Sequence, residues 1–121
     1  MKRGWVERFE IAAGSAVILY LQSPKEKVWG FLLALTEAGV VVRGIDLASF
    51  DDWMRQEARR EEHILGLNTV FFPMSRVEKM ERDESVGPME GYVDRFAREV
   101  GRTAREVALG VAAPPGGGRR R

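Results

Sequence analysis

The chain has 121 residues, 45% of them hydrophobic and 31% charged, with a formal net charge of +1 and no cysteine. This is enough chain for one domain with a buried core. The lack of cysteine excludes disulfides, cysteine-based zinc sites, thiol catalysis and iron–sulfur clusters. No apolar run approaches the roughly 20 residues of a membrane-spanning helix, and residues 1–9 lack the apolar stretch of a signal peptide; a cytoplasmic protein with no membrane partner is expected. Charge is uneven: residues 46–87 are acidic in excess and both flanks basic in excess. A balance this close to neutral does not suit a domain-wide polyanion surface, so any nucleic-acid contact would be local.

Taken in chain order, residues 2–13 fit either a leading strand or a short helix carrying Trp5, Val6, Phe9 and Ile11, closed by Gly14-Ser15. Residues 17–21, 28–35 and 40–45 are predicted as strands joined by polar turns at 22–27 and 36–39, a compact antiparallel meander. The second strand is apolar on both faces: Val28, Leu32 and Ala34 against Trp29, Phe31, Leu33 and Leu35. Cover is therefore expected on both sides, from a closed barrel within and a helix or neighbouring subunit without.

The period then changes. Ser49 stands three residues before Asp52, as in a capping box, and Asp51 and Asp52 suit the positive end of a helix. A helix over 50–62 follows, with Phe50, Trp53, Met54 and Ala58 on its buried face. Arg55, Glu57, Arg59, Arg60, Glu61 and Glu62 are expected in solvent. Strands are predicted over 70–72 and 77–80, joined by a turn at 73–76 that proline makes tight. After a linker at 83–87, Pro88 suits the first position of a helix. Met89, Tyr92, Val93, Phe96, Val100, Ala104 and Val107 recur at spacings of three and four, one amphipathic helix to about residue 110. Gly101 weakens it by about 1 kcal/mol relative to alanine. Residues 111–121, rich in proline and glycine and then basic, are expected to be disordered. The plan is a β domain over 1–86 with a helical insertion at about 49–63, a C-terminal helix over 87–110 and a tail.

The meander resembles the Sm-like family of SH3-like small β-barrels, which includes Hfq. Gly30-Phe31-Leu32 matches the Gly-x-Leu with which that family enters its second strand. Val70-Phe71-Phe72-Pro73-Met74-Ser75-Arg76-Val77 is similar to the strand, proline, single helical turn and strand that close such barrels. The resemblance spans residues 16–45 and 69–82. It implies a mainly β fold with helices: a small antiparallel SH3-like barrel with a helical insertion and a C-terminal amphipathic helix. It also implies a homo-oligomer joined through strand edges, with Val70, Phe71, Phe72 and Val77 as interface candidates, and contact with RNA. The turn at 36–39 reads Thr-Glu-Ala-Gly and lacks the family's uridine-holding Asp and Asn, so little sequence preference is expected. Arg76 lies in the turn that matches the family's second RNA-contacting loop, Arg43 ends the third strand, and Lys79 lies near; these are the nucleic-acid candidates.

No set of residues adds up to a catalytic or metal site. Asp46, Asp51 and Asp52 read as a loop residue and two helix-start carboxylates. His63, the single histidine, has no nucleophile to serve, and Ser49 and Ser75 lack an elbow context. Gly30, Gly39, Gly44 and Gly66 do not open a helix after a strand, so no phosphate loop forms. Arg95, Arg98, Arg102 and Arg105 share one helix side and, with Arg119–Arg121, can grip phosphates. Asp94, Glu99 and Glu106 are interleaved at ion-pair spacing, Asp94 with Arg98 and Arg102 with Glu106, which favours a solvated face. Trp29, Phe71 and Phe72 suit base stacking or a core. The expectation is a non-enzymatic, cofactor-free binding module that assembles with copies of itself and contacts RNA. A protein–protein adaptor on the same barrel is the alternative.

Overall fold

The computed structural model describes residues 4–60 and 64–110. Strands form where the sequence alternates or runs apolar: β1 Ala16–Leu21, β2 Glu26–Leu35, β3 Gly39–Asp46, β4 Asn68–Pro73 and β5 Val77–Arg82. All neighbouring pairs are antiparallel. The order is β4-β3-β2-β1-β5: a four-strand meander, with β5 returning to pair with β1. β4 and β5 are the two edges and do not pair with each other, so the sheet is not closed. Gly30 of β2 faces Gly44 of β3. A Cβ on Gly30 would lie 2.4 Å from the Arg43 carbonyl oxygen and 2.6 Å from the Gly44 Cα. Only glycine lets the two strands cross this closely.

The sheet has a core on each face. On one, Val17, Leu19, Leu21, Val28, Leu32, Val40 and Val42 are buried together, and Phe72 of β4 and both Val77 and Met80 of β5 pack on them. Side chains from both edges reach one cluster, so the sheet curls around it. On the other face, Trp29 and Phe31 meet the helices α2 Phe50–Arg59, α3 Tyr92–Val100 and α4 Ala104–Leu109. Phe50 stands edge-on to Trp29 with centroids 4.9 Å apart, and Trp53 stacks on Phe96 at 4.7 Å. The double-sided apolar pattern of β2 is explained by this arrangement. Helix and strand take 36% and 37% of the described residues, so the fold is mixed α/β rather than mainly β.

Several local expectations are corrected. Of the strand and the helix left open at the N-terminus the chain forms the helix, α1 Gly4–Phe9, but Trp5, Val6 and Phe9 do not pack and none of its residues is buried. Ser49 does not cap α2: the chain enters through a 3-10 turn, Leu47–Ser49, which leaves Ser49 at φ −96°, ψ 0° instead of extended. Asp52 instead binds Arg55 at 2.6 Å. α2 ends at Arg59, with Arg60 left-handed at φ 55°; residues 61–63, including His63, lie outside the described residues. Ala58 is exposed, and Glu57, expected in solvent, is buried at 3% exposure. Pro88 does not start a helix. Val86 and Met89 exchange backbone hydrogen bonds at 2.9 Å around Gly87 and Pro88, a tight turn. The single C-terminal helix is two: Gly101 takes a left-handed φ of 85° and ends α3. Thr103 and Glu106 then cap α4 reciprocally, the hydroxyl accepting the Glu106 amide and the Glu106 carboxylate the Thr103 amide. The tail over 111–121 lies outside the described residues.

Candidate functional site

The surface that stands out is the β4 edge. β4 is uncharged, and among the described residues it is paired on one side only, with β3. Val70 is 36% and Phe71 52% exposed. Phe71 lies across Gly39, where a Cβ would stand 2.8 Å from its ring. Ala34, Val41 and Phe71 form one row across β2, β3 and β4, beyond the part of that face where Trp29 and Phe31 meet the helices. The ladder slips between Leu32 and Ala34. Leu33, left unpaired there, is exposed, as is Met74, whose N–H donates to the Ala38 carbonyl at 2.9 Å. Phe72 and Val77 are placed differently: both are half-buried and pack on the inner cluster. Of the four interface candidates, Val70 and Phe71 present apolar surface.

The nucleic-acid candidates are not brought together, and each is held within the chain. Arg43 on β3 donates through Nε to the Ala108 carbonyl at 3.1 Å, tying the end of α4 to the sheet. Arg76, in the 3-10 turn Met74–Arg76, donates to the Gln22 and Pro24 carbonyls at 3.0 and 2.7 Å and pairs with Glu26 at 3.1 Å. It clamps the β1–β2 turn. Lys79 on β5 pairs with Glu81 at 3.5 Å and lies 4.5 Å from the Tyr20 ring centre. The Tyr20 hydroxyl donates to Glu81 at 2.9 Å. That bond, with burial and the carboxylate charge behind it, raises the Tyr20 pKa above its ordinary 10.0.

The arginine stripe of the C-terminal segment is likewise engaged, with partners other than those its spacing suggested. Arg95 pairs with Asp51 at 2.8 Å, and Arg98 makes a two-pronged contact with Glu90 at 2.8 and 2.9 Å. The Arg98 hydrogen bond holds the Glu90 carboxyl below its usual range. Arg102 reaches the buried Glu57 at 3.2 Å, and Arg105 donates to the Gly14 carbonyl at 2.6 Å while lying 5.1 Å from the Phe31 ring centre. Residues 119–121 lie outside the described residues.

Two polar residues that sequence reasoning missed organise the helical layer. Asp83, read as linker, accepts the amides of Tyr92 and Val93 at 2.8 Å each and the Trp29 indole N–H at 3.0 Å. It fills the N-terminus of α3 and ties it to β2. Gln56, buried, donates to the Leu65 carbonyl at 2.8 Å and accepts the Ile64 and Leu65 amides at 3.0 Å, fixing the return from α2. A cleft of about 680 Å³ includes Glu7, Glu10, Asp83, Asp94 and Arg105 in its walls. Asp83 and Arg105 there are spent on the framework, and Asp94 accepts the Ser85 hydroxyl. Among the described residues no group of three or more His, Asp or Glu side chains is placed to hold a metal ion. Comparison with known proteins finds no matching family model, no similar curated protein and no similar solved structure.

Proposed function

We propose that this chain is a non-enzymatic binding module that assembles with copies of itself through the β4 edge, on a sheet of the Sm-like, SH3-like kind. The observation that carries this is the undefended edge. Natural sheets blunt exposed edges with charge, proline, inward lysines or bulges; β4 carries no charge, its one proline stands at its last position, and it shows Val70 and Phe71 to solvent. The strand order, the inner cluster shared by both edge strands and the Pro73-led 3-10 turn between β4 and β5 support the barrel-like reading. Protein contact is favoured over RNA contact because Arg43 and Arg76 spend their guanidinium groups on carbonyls within the chain and Lys79 lies beside the Glu81 carboxylate.

Light scattering at high micromolar concentration tests the proposal. The expected mass is a multiple of the chain's 13.6 kDa, falling to the single chain in Phe71→Asp with circular dichroism unchanged. A wild-type protein that stays at the single-chain mass overturns self-assembly and leaves the adaptor, in which the same edge takes a strand from another protein.

A further inference from the structure

On the reading of β4 as the working edge, on which this rests, we infer that the strand it accepts is β4 of a second copy. The two strands pair antiparallel about a two-fold axis through Phe71, and two five-stranded sheets become one of ten. Charge selects the partner. The other free edge, β5, carries Glu78, Lys79, Glu81 and Arg82 among its six residues, whereas Asn68–Pro73 carries none. A β4-to-β5 contact would set Val70 and Phe71 beside those charges; a β4-to-β4 contact sets apolar against apolar.

The backbone selects the same pairing. The Thr36 amide donates to the Gly39 carbonyl at 2.9 Å, so the polar groups of Gly39 turn toward β2. Backbone groups alternate along a strand, so those of Val40 and Val42 turn toward β4, where their partners are Phe72 and Val70. The N–H and C=O of Thr69 and Phe71 therefore point out of the sheet edge, with no strand of the described residues beside them.

Side-chain alternation then narrows the register. A two-fold axis normal to the sheet keeps each face on its own side, so opposed residues must share a face and their numbers sum to an even value. Centred on Phe71, the pairing sets Phe71 against Phe71 of the second copy, Val70 against Phe72, and Thr69 against Pro73, whose carbonyl accepts the Thr69 amide but which has no N–H to return. Centred on Val70, it would set Phe71 against Thr69 and Phe72 against Asn68, which wastes both aromatics. The first register also adjoins Leu33 and Met74, exposed around the same strand, which broadens the contact beyond one strand.

The native chain has no cysteine, so single-cysteine variants report the register directly. Three are made, Phe71→Cys, Thr69→Cys and Lys79→Cys, and each is treated with a short bis-maleimide linker. Facing positions in a two-fold pair lie about 5 Å apart; Thr69 is displaced from Thr69 of the second copy by four residues, about 13 Å. The expected result is a wild-type mass of twice the single chain, efficient cross-linking of Phe71→Cys with itself, and little for Thr69→Cys. A dimer cross-linked through Thr69→Cys and not Phe71→Cys overturns the register. A larger assembly, or cross-linking only when Phe71→Cys and Lys79→Cys are mixed, overturns the two-fold pairing and leaves self-assembly standing. A single-chain mass for wild type overturns both.

Discussion

Asp83 shows how one side chain can carry a junction. Its two oxygens serve three donors, two at the start of α3 and one on Trp29. Each hydrogen bond to a charged group contributes about 1.5–3 kcal/mol, and the donors are partly desolvated when it is lost. Asp83→Ala is expected to lower stability by about 2–4 kcal/mol in urea unfolding; a loss within experimental error would show that water replaces the carboxylate freely. Phe96 is fully buried between Trp53 and Phe50. Phe96→Asp places a charge in that stack and is expected to cost several kcal/mol, detaching α3 or unfolding the chain; an unchanged melting temperature would refute this packing. Tyr20 brings a pH dependence. Its pKa is raised in the fold, so the protonated hydroxyl is the favoured form. The stability it adds is whole below the ordinary value of 10.0 and is lost as pH rises through the raised value. The gap between wild type and Tyr20→Phe in urea midpoint should therefore narrow above about pH 10. A gap that stays constant across that window would mean that Glu81 does not hold the hydroxyl.

At the scale of elements, the strands were legible because each is a short apolar run closed by Gly, Pro or a polar turn, and all five predicted strands lie inside observed ones. α2 was legible for its Phe50, Trp53 and Met54 face, yet its boundary chemistry was not, since the 3-10 entry displaced Ser49 from a capping conformation. The break between α3 and α4 left a sequence signal, Thr103-x-x-Glu106 after Gly101. It was masked because the apolar spacing of Phe96, Val100, Ala104 and Val107 continues across it, all four packing on the same core. What no local pattern could disclose are partners far apart in sequence. Asp83 lies nine residues from the helix it caps, and Glu57 is buried against Arg102, 45 residues on. The same limit applies to β4: its exposure follows from its place at the end of the sheet order, which a six-residue stretch does not encode. The α3–α4 junction gives a paired prediction. Thr103→Ala should cost about 1 kcal/mol through the lost cap. Gly101→Ala should cost about 1–2 kcal/mol because alanine disfavours the left-handed backbone. Chemical denaturation of both variants checks this, and a stabilised Gly101→Ala would show that the two helices can fuse into one.

For the molecule as a whole, the charge that a composition counts is not the charge a partner meets. The chain is nearly neutral, at +1, and its arginines outnumber its lysines, a composition open to phosphate recognition. In the fold, Arg43 closes α4 onto β3, Arg76 clamps the β1–β2 turn against the β4–β5 turn, and Arg95, Arg98, Arg102 and Arg105 hold the helical layer. Removing the Arg43 guanidinium leaves the part-buried Ala108 carbonyl without its donor, at about 1–3 kcal/mol, whereas the Gln22 and Pro24 carbonyls that Arg76 holds are exposed and cost less to release. Arg43→Ala/Arg76→Ala is therefore expected to melt below wild type while leaving any low-salt signal in a titration with oligo-U or a mixed-sequence RNA unchanged. Counterion release gives the control: a protein that grips several phosphates loses affinity steeply with salt, and the slope flattens as contacts are removed. A double variant that keeps its melting temperature but loses low-salt RNA binding would reverse the assignment, placing these two arginines at an RNA surface and making their internal hydrogen bonds incidental.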